Sequence, residues 1–253
     1  MTKTDIVRFD PTAPLERWPD LPPEEVAEGS PVQRGRMWID DKARGLTAGI
    51  WDCTAMVSHW MDYPVNEFMI VLEGEVTIVE KTRETTIRAG ESFILPKGLH
   101  CIWKQAGYMK KFFVIFEDPI ERPKLDGLRC IKLDPEVALS PSTPPGADML
   151  VSGKPSQHAH EFFEDASGQW TVGIWDTTAY HRKVIDFPRH ELMHLFEGAV
   201  TLLDDTGKSQ TFTAGDTFFI PLGNRNAWKC DGYLRKIYCI FQPNVAAAIK
   251  AAE

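Results

Sequence analysis

Glu67 and Glu191 are the residues most suited to chemistry in this chain of 253, and histidines accompany both. His59 and His100 bracket Glu67, while His190 and His194 flank Glu191. Carboxylate and imidazole together can hold Mn, Fe, Ni or Zn, or move protons near neutral pH. In His190-Glu191-x-x-His194, however, an extended strand points the two histidines to one face and the glutamate to the other. A single mononuclear site from all three would require a bulge. His59 and His100 either converge with Glu67 or are exposed loop histidines. His158-Ala159-His160 followed by Glu164 imitates ligand spacing, but it aligns with Arg34 and Arg36 in the repeat described next and reads as coincidence. Nucleophilic catalysis has less support. Cys53, Cys101, Cys130, Cys230 and Cys239 lack adjacent basic partners, and neither Gly-x-Ser-x-Gly nor a glycine-rich phosphate loop occurs.

The elements that must position these residues are written twice. Gly49-Ile50-Trp51-Asp52-Cys53-Thr54-Ala55 returns as Gly173-Ile174-Trp175-Asp176-Thr177-Thr178-Ala179, a shift of 124 that also carries Glu67 onto Glu191. One extra residue near Gly207 makes the shift 125, so that Pro96-Lys97-Gly98 becomes Pro221-Leu222-Gly223, Trp103 becomes Trp228 and Lys111 becomes Lys236. The insertion falls between Asp204 and Gly207, a hairpin tip where length changes are tolerated. Even the leader repeats, with Phe9-Asp10-Pro11 matching Leu133-Asp134-Pro135. Duplication of one domain follows, with expected bounds 1–125 and 126–253, each carrying its own entry arm. Within each copy, short runs such as Phe68–Leu72, Val76–Val79 and Lys111–Phe116 are β-branched and aromatic. Gly and Pro turns separate them, which predicts strands of a sandwich or barrel. Helix is expected only at Pro22–Glu28 and in the tail Asn244–Ala252.

Composition narrows the function classes. A net charge of -8 without a Lys/Arg cluster argues against nucleic acid and anionic membrane as partners. No apolar run approaches the roughly 20 residues that span a bilayer. The N-terminal sequence lacks the apolar core of a secretion signal, and an odd set of cysteines without a Cys-x-x-Cys pair reads as reduced thiols. A cytoplasmic protein is expected.

Glu67 with Gly74, then Gly90 with Pro96-x-Gly98, resembles the paired signature of the cupin superfamily; Glu191 with Gly198 and Gly215 with Pro221-x-Gly223 repeat it. The added Trp103 and Trp228 bring the resemblance nearest to the ureidoglycine aminohydrolase-like and ethanolamine-utilisation branch. It implies an all-β bicupin: two tandem double-stranded β-helix (jelly-roll) barrels of the RmlC-like kind, each with a cavity at one mouth. Metal-dependent members place His-x-His ahead of the motif glutamate and a third His after the Pro-x-Gly turn. Here Trp60, Met61, Asp62 and Tyr63 precede Glu67, Val184, Ile185, Asp186 and Phe187 precede Glu191, and Cys101 and Asn226 hold the third position. The usual three-His, one-Glu set is therefore missing from both copies, and no cofactor is expected; a divalent metal remains the alternative, with His59, Glu67, His100, His190, Glu191 and His194 as its candidate ligands.

In cupins the retained glutamate faces the cavity, where a lone carboxylate is costly. Lys111 or Lys110 in the first copy and Lys236 or Arg235 in the second, on a late strand, are its natural partners; Glu67/Lys111 and Glu191/Lys236 pairs are expected, against an alternative in which the lysines sit exposed on the rim and the glutamates bond the backbone. The expected pocket comprises Glu67, Tyr63, His59, His100, Trp103 and Lys111 in the first copy, and Glu191, Phe187, His190, Trp228 and Lys236 in the second. Trp51 and Trp175, at strand starts, read as core. Three functions are compatible with this: a binder or sensor of a small nitrogenous or carboxylated metabolite, an enzyme of such metabolites using Glu67 or Glu191 as acid or base, and a structural subunit. The resemblance also implies a homodimer.

Overall fold

The computed structural model describes residues 5–204 and 206–243; the tail expected to be helical lies outside them. Strands and turns make up nearly all of it, interrupted only by short 3-10 turns at Pro23–Glu25, Lys42–Arg44 and Ala147–Met149. The helix expected over Pro22–Glu28 is such a turn followed by the strand Val26–Gly29. Pro22 and Pro23 start the turn, but the apolar residues after it are too few to give a helix a face to bury. Among the described residues, no helix is long and apolar enough to cross a membrane.

Two compact units emerge, each with two antiparallel sheets that follow the jelly-roll order. The first contains Asp10–Leu133. One of its sheets orders Ile131–Lys132, Ser92–Leu95, Asn66–Glu73, Met109–Phe116, Leu46–Cys53, Gln33–Asp41 and Glu16–Arg17 side by side; the other is built around Glu75–Glu80 and His100–Gln105. The second unit repeats the plan, with His190–Glu197, Leu234–Phe241 and Trp170–Thr177 at the centre of its larger sheet. Apolar residues on the facing sheets form a core in each: Ile78, Ile87, Phe93 and Leu95 in the first, Leu202, Phe212, Phe218 and Ile220 in the second, all 1% exposed or less.

The unit boundaries differ from those drawn on the sequence. Val7–Phe9 pairs with Thr217–Ile220 and belongs to the second unit, while Ile131–Lys132 pairs with Ser92–Leu95 and extends the first to Leu133. The matching leaders thus do equivalent work, but each completes the unit that the other repeat supplies. Repeat arithmetic aligns segments; it cannot say which sheet edge a short strand will cover.

Gly74 shows how the turns hold this geometry. Its φ is +75°, and a Cβ there would lie 2.1 Å from the Tyr108 carbonyl oxygen. Gly198 repeats both features, with φ +80° and 2.1 Å to the Tyr233 oxygen. Only glycine satisfies the positive φ and the close approach together.

Candidate functional site

Strand register explains why the motif glutamate meets a lysine. On Asn66–Glu73, residues 67, 69 and 71 share a face; their partners across the ladder are Ile115, Phe113 and Lys111, and beyond Lys111 lies Trp51. Glu191, Met193 and Leu195 likewise oppose Ile240, Tyr238 and Lys236, with Trp175 beyond. In both units the register slips immediately beside the lysine, between Lys110 and Lys111 and opposite Leu195–Glu197. Such bulges re-aim side chains next to functional sites.

In the first unit Lys111 Nζ donates to Glu67 Oε1 at 2.8 Å, and the Tyr63 hydroxyl donates to Glu67 Oε2. Burial, followed by the neighbouring Glu67 charge, pushes the Tyr63 phenol well above its usual range, so it remains a donor. The ammonium lies 4.9 Å and 4.8 Å from the Trp51 and Trp103 ring centroids and touches Met69 Sδ. Glu67 and Lys111 are only 4% and 6% exposed. Two cavities of about 190 and 200 Å³ meet this centre, both touching Trp51 and Lys111.

The second unit keeps the pair and changes its surroundings. Lys236 Nζ donates to Glu191 Oε1 at 2.6 Å, but Glu191 Oε2 accepts from Arg189 Nε at 2.9 Å, because Arg189 replaces Val65 and Phe187 replaces Tyr63. Burial works to raise the Glu191 carboxyl; Lys236 and Arg189 more than offset it and hold the group below its ordinary value. Burial also lowers Lys236, against the pull of Glu191. The cavity is about 430 Å³, within the roughly 300–1,000 Å³ typical of small-molecule sites. Its walls include Trp175, Trp228, Tyr180, Tyr238 and Arg182. The greater volume has a local cause: Ser142 and Pro145 line it at positions where the first unit carries Trp18 and Leu21.

The structure brings together Glu67, Tyr63, Trp103 and Lys111, and separately Glu191, Phe187, Trp228 and Lys236. It does not bring in the histidines. His59 is exposed, and His100 is exposed against Asp62 with its ring stacked on Trp60. His190 lies between Phe219 and Phe241 on the far face of its strand, where Nδ1 accepts the Leu222 N–H, and His194 shares that face beside Thr217. Burial drives His194 down to about 4. His158 bonds Asp176 rather than approaching Glu191. Strand parity thus keeps His190 and His194 away from Glu191, with no bulge at that point to reunite them.

Trp51 and Trp175 correct the core expectation: each is half-buried and walls a cavity, since it pairs directly with the pocket lysine and must share its face. Arg182, Arg189 and Tyr238 went unrecognised in the sequence. Their signal was available in the repeat, as departures from Ser58, Val65 and Phe113 at inward positions.

A metal of the kind metal-dependent cupins carry does not fit either centre. A lysine ammonium bonds one oxygen of each motif carboxylate, a tyrosine or arginine bonds the other, and Met193 or Met69 packs against the amine. An ammonium there repels a cation and leaves the carboxylate no free oxygen to ligate it. Among the described residues, no group of three or more His, Cys, Asp or Glu is placed to hold a metal ion.

Comparison with known proteins agrees with the geometry. The model of the EutQ-like cupin domain matches twice, over residues 41–113 and 164–238. A protein of unknown function from Pseudomonas syringae pv. tomato, itself of the DUF861 family, is 26% identical; the match covers 94% of this chain and all of that one, with a TM-score of 0.76. The protein Ylba from E. coli, also of the DUF861 family, is 10% identical over 96% of this chain and 93% of that one, with a TM-score of 0.56. A putative dioxygenase from Nostoc punctiforme is 11% identical over 94% and 83%, with a TM-score of 0.58. The last two likenesses concern the fold alone. No curated protein matches the chain at a significant level. With one family model covering both repeats and more than half of the residues, this chain belongs to the EutQ-like cupin family, as a bicupin.

Proposed function

We propose that this bicupin is a binder or sensor of a small polar metabolite, and that the ligand occupies the barrel of the second unit. One observation carries the reading: a cavity of about 430 Å³ with two tryptophan walls, into which a closed ion pair and two further arginines are set. Aromatic walls with a few directed polar groups are how small organic ligands are held. The state of Glu191 favours binding over acid–base catalysis. Its carboxylate is held ionised and each oxygen already accepts from a cation, so it has no proton to give at neutral pH and is a weak base. We take a homodimer as the working form, resting on the resemblance, and a cytoplasmic location, resting on the N-terminal sequence and the thiols; light scattering at twice the chain mass supports the dimer, and a monomer mass removes it.

A thermal-shift screen of ureides, amino acids, amines, sugars and organic acids tests the binding role. A specific ligand at 100 times its dissociation constant adds about 2.7 kcal/mol of stability. The expected result is a hit whose effect disappears when Ala159, on the cavity wall, is enlarged to Phe. No hit in any class favours the structural-subunit reading.

A further inference from the structure

Arg182 is a buried charge whose hydrogen-bond partners are all neutral. It is 8% exposed and lines the cavity of the second unit. Its guanidinium donates to the Lys183 carbonyl at 3.0 Å, to the Asn226 carbonyl at 3.1 Å and to Asn226 Oδ1 at 2.9 Å, all of them neutral acceptors. The groups that act on its charge are Tyr180 and Arg189, with no acid among them, and burial depresses it. A buried guanidinium without a counter-ion is a standing electrostatic cost, which proteins normally avoid by pairing. Nothing in the fold demands it, because the first unit forms the same barrel with Ser58 in its place.

Two residues that line the same cavity each carry a buried polar atom without a hydrogen-bond partner, Trp228 Nε1 and Ser142 Oγ. The tryptophan is again a difference between the repeats. In the first unit Trp103 Nε1 donates to Gln105 Oε1; the residue matching Gln105 is Cys230, which leaves the Trp228 N–H unmet. Counting the lining charges, Arg182, Arg189 and Lys236 stand against Glu191 alone, two positive charges in excess. Arginine, lysine and indole N–H groups are all donors, so a ligand that satisfies them must present acceptors and negative charge.

We propose that the second barrel binds a small organic carboxylate, its oxygens taken by the Arg182 guanidinium and the Trp228 N–H and its carbon skeleton packed against the wall that Trp175 and Trp228 form. The inference rests on the binding role proposed above and names the ligand class for it. Lys236 remains engaged with Glu191 throughout and takes no part in recognition.

The experiment is isothermal titration of the full chain with acetate, butyrate, succinate and benzoate. Butyramide and benzamide serve as uncharged controls, butylamine as the opposite charge, and inorganic phosphate as the other common anion. At least one carboxylate should bind at least tenfold more tightly than its amide and more tightly than phosphate. Arg182→Ser, which installs the residue of the first unit, should weaken that carboxylate tenfold or more. Trp228→Phe, which keeps the ring and removes the N–H, should weaken it several-fold. Circular dichroism and thermal unfolding establish that each variant is folded; if Arg182→Ser is not, Arg182→Lys and Trp228→Phe carry the test. Equal binding of acid and amide, preference for amine or phosphate, or carboxylate affinity indifferent to Arg182 and Trp228 overturns the proposal. If none of these carboxylates binds while the wider screen yields another ligand, the carboxylate is wrong and the binding role stands. If no compound binds in either experiment, both fall.

Discussion

Glu191→Gln probes the electrostatics of the second centre, because the amide keeps the carboxylate's shape while removing its charge and turning one acceptor oxygen into a donor. Lys236, 5% exposed, and the Arg189 guanidinium would then share the site with no anion between them. Breaking a buried pair from one side typically costs about 3–5 kcal/mol. The protein can limit that cost by releasing the Lys236 proton. From an ordinary value of 10.5, deprotonation at pH 7 costs about 4.8 kcal/mol, at about 1.36 kcal/mol per pH unit, so the two routes are of similar size. Their pH signature distinguishes them. If folded Lys236 is neutral while the unfolded chain still carries the proton, the unfolded state binds more protons and stability rises with pH. Between pH 7 and 9 the variant should regain stability at up to about 1.4 kcal/mol per unit, a slope absent from the native protein. Glu191→Gln/Lys236→Met should recover most of the loss, since the thioether replaces a cation already packed on Met193, Trp175 and Trp228. Urea unfolding followed by tryptophan emission at pH 7, 8 and 9 measures all three proteins. A loss below about 1 kcal/mol with no pH slope, or a double variant no more stable than the single, would refute the claim that the lysine and glutamate are a desolvated, mutually dependent pair.

Tyr63→Phe converts the first centre toward the second, where Phe187 stands at that position, but without an arginine to replace the lost hydroxyl. Urea unfolding should show a loss of about 1.5–3 kcal/mol, the usual range for a hydrogen bond to a charged group, and Phe187→Tyr no comparable gain. Gly74→Ala should lower the melting temperature far more than Gly90→Ala. Both positions have positive φ, but a Cβ at 74 meets the Tyr108 oxygen at 2.1 Å whereas none of the structure lies within 4 Å of one at 90. Equal effects would mean that backbone strain alone matters. His194, pressed down to about 4 by burial, should stay neutral in proton NMR at pH 5. Its contribution to stability is complete above the unfolded value near 6.5 and is lost as pH falls toward 4, because the unfolded chain takes up the proton first. An imidazolium signal for His194 at pH 6 would contradict its burial.

The fold was legible because the duplicated glycines, prolines and glutamates sit at turns and inward positions that one family of barrels requires. Strand parity was legible too: it separates His190 and His194 from Glu191, and the structure places them on opposite faces. What the sequence hid were distances across sheets. Trp51 and Trp175 look like core residues until the ladder sets them opposite Lys111 and Lys236. His59 and His100 look like neighbours of Glu67 until the short strand Met61–Asp62 pairs His100 with Asp62 at the exposed edge. The leader strand Val7–Phe9 goes to the first unit by repeat alignment yet pairs in the second, since three residues carry no signal of which edge they complete.

Comparing the two barrels shows how one backbone supports two kinds of site. Both retain the glutamate, the lysine, the methionine and two tryptophans, so this set is what keeps an inward carboxylate compatible with the jelly-roll interior. The first barrel meets these groups internally: Tyr63 bonds Glu67, Gln105 bonds Trp103, and Trp18 and Leu21 narrow the space beyond. The second undoes each closure at the matching position. Phe187 cannot bond the glutamate, Cys230 cannot reach the indole as Gln105 does, Ser142 and Pro145 leave room, and Arg182 adds a charge that no acid balances. Each change alone costs stability or gains nothing structurally. Taken together they open one cavity and leave the Arg182 charge unbalanced and the Trp228 N–H unmet, which is the arrangement expected when the missing partner comes from solution.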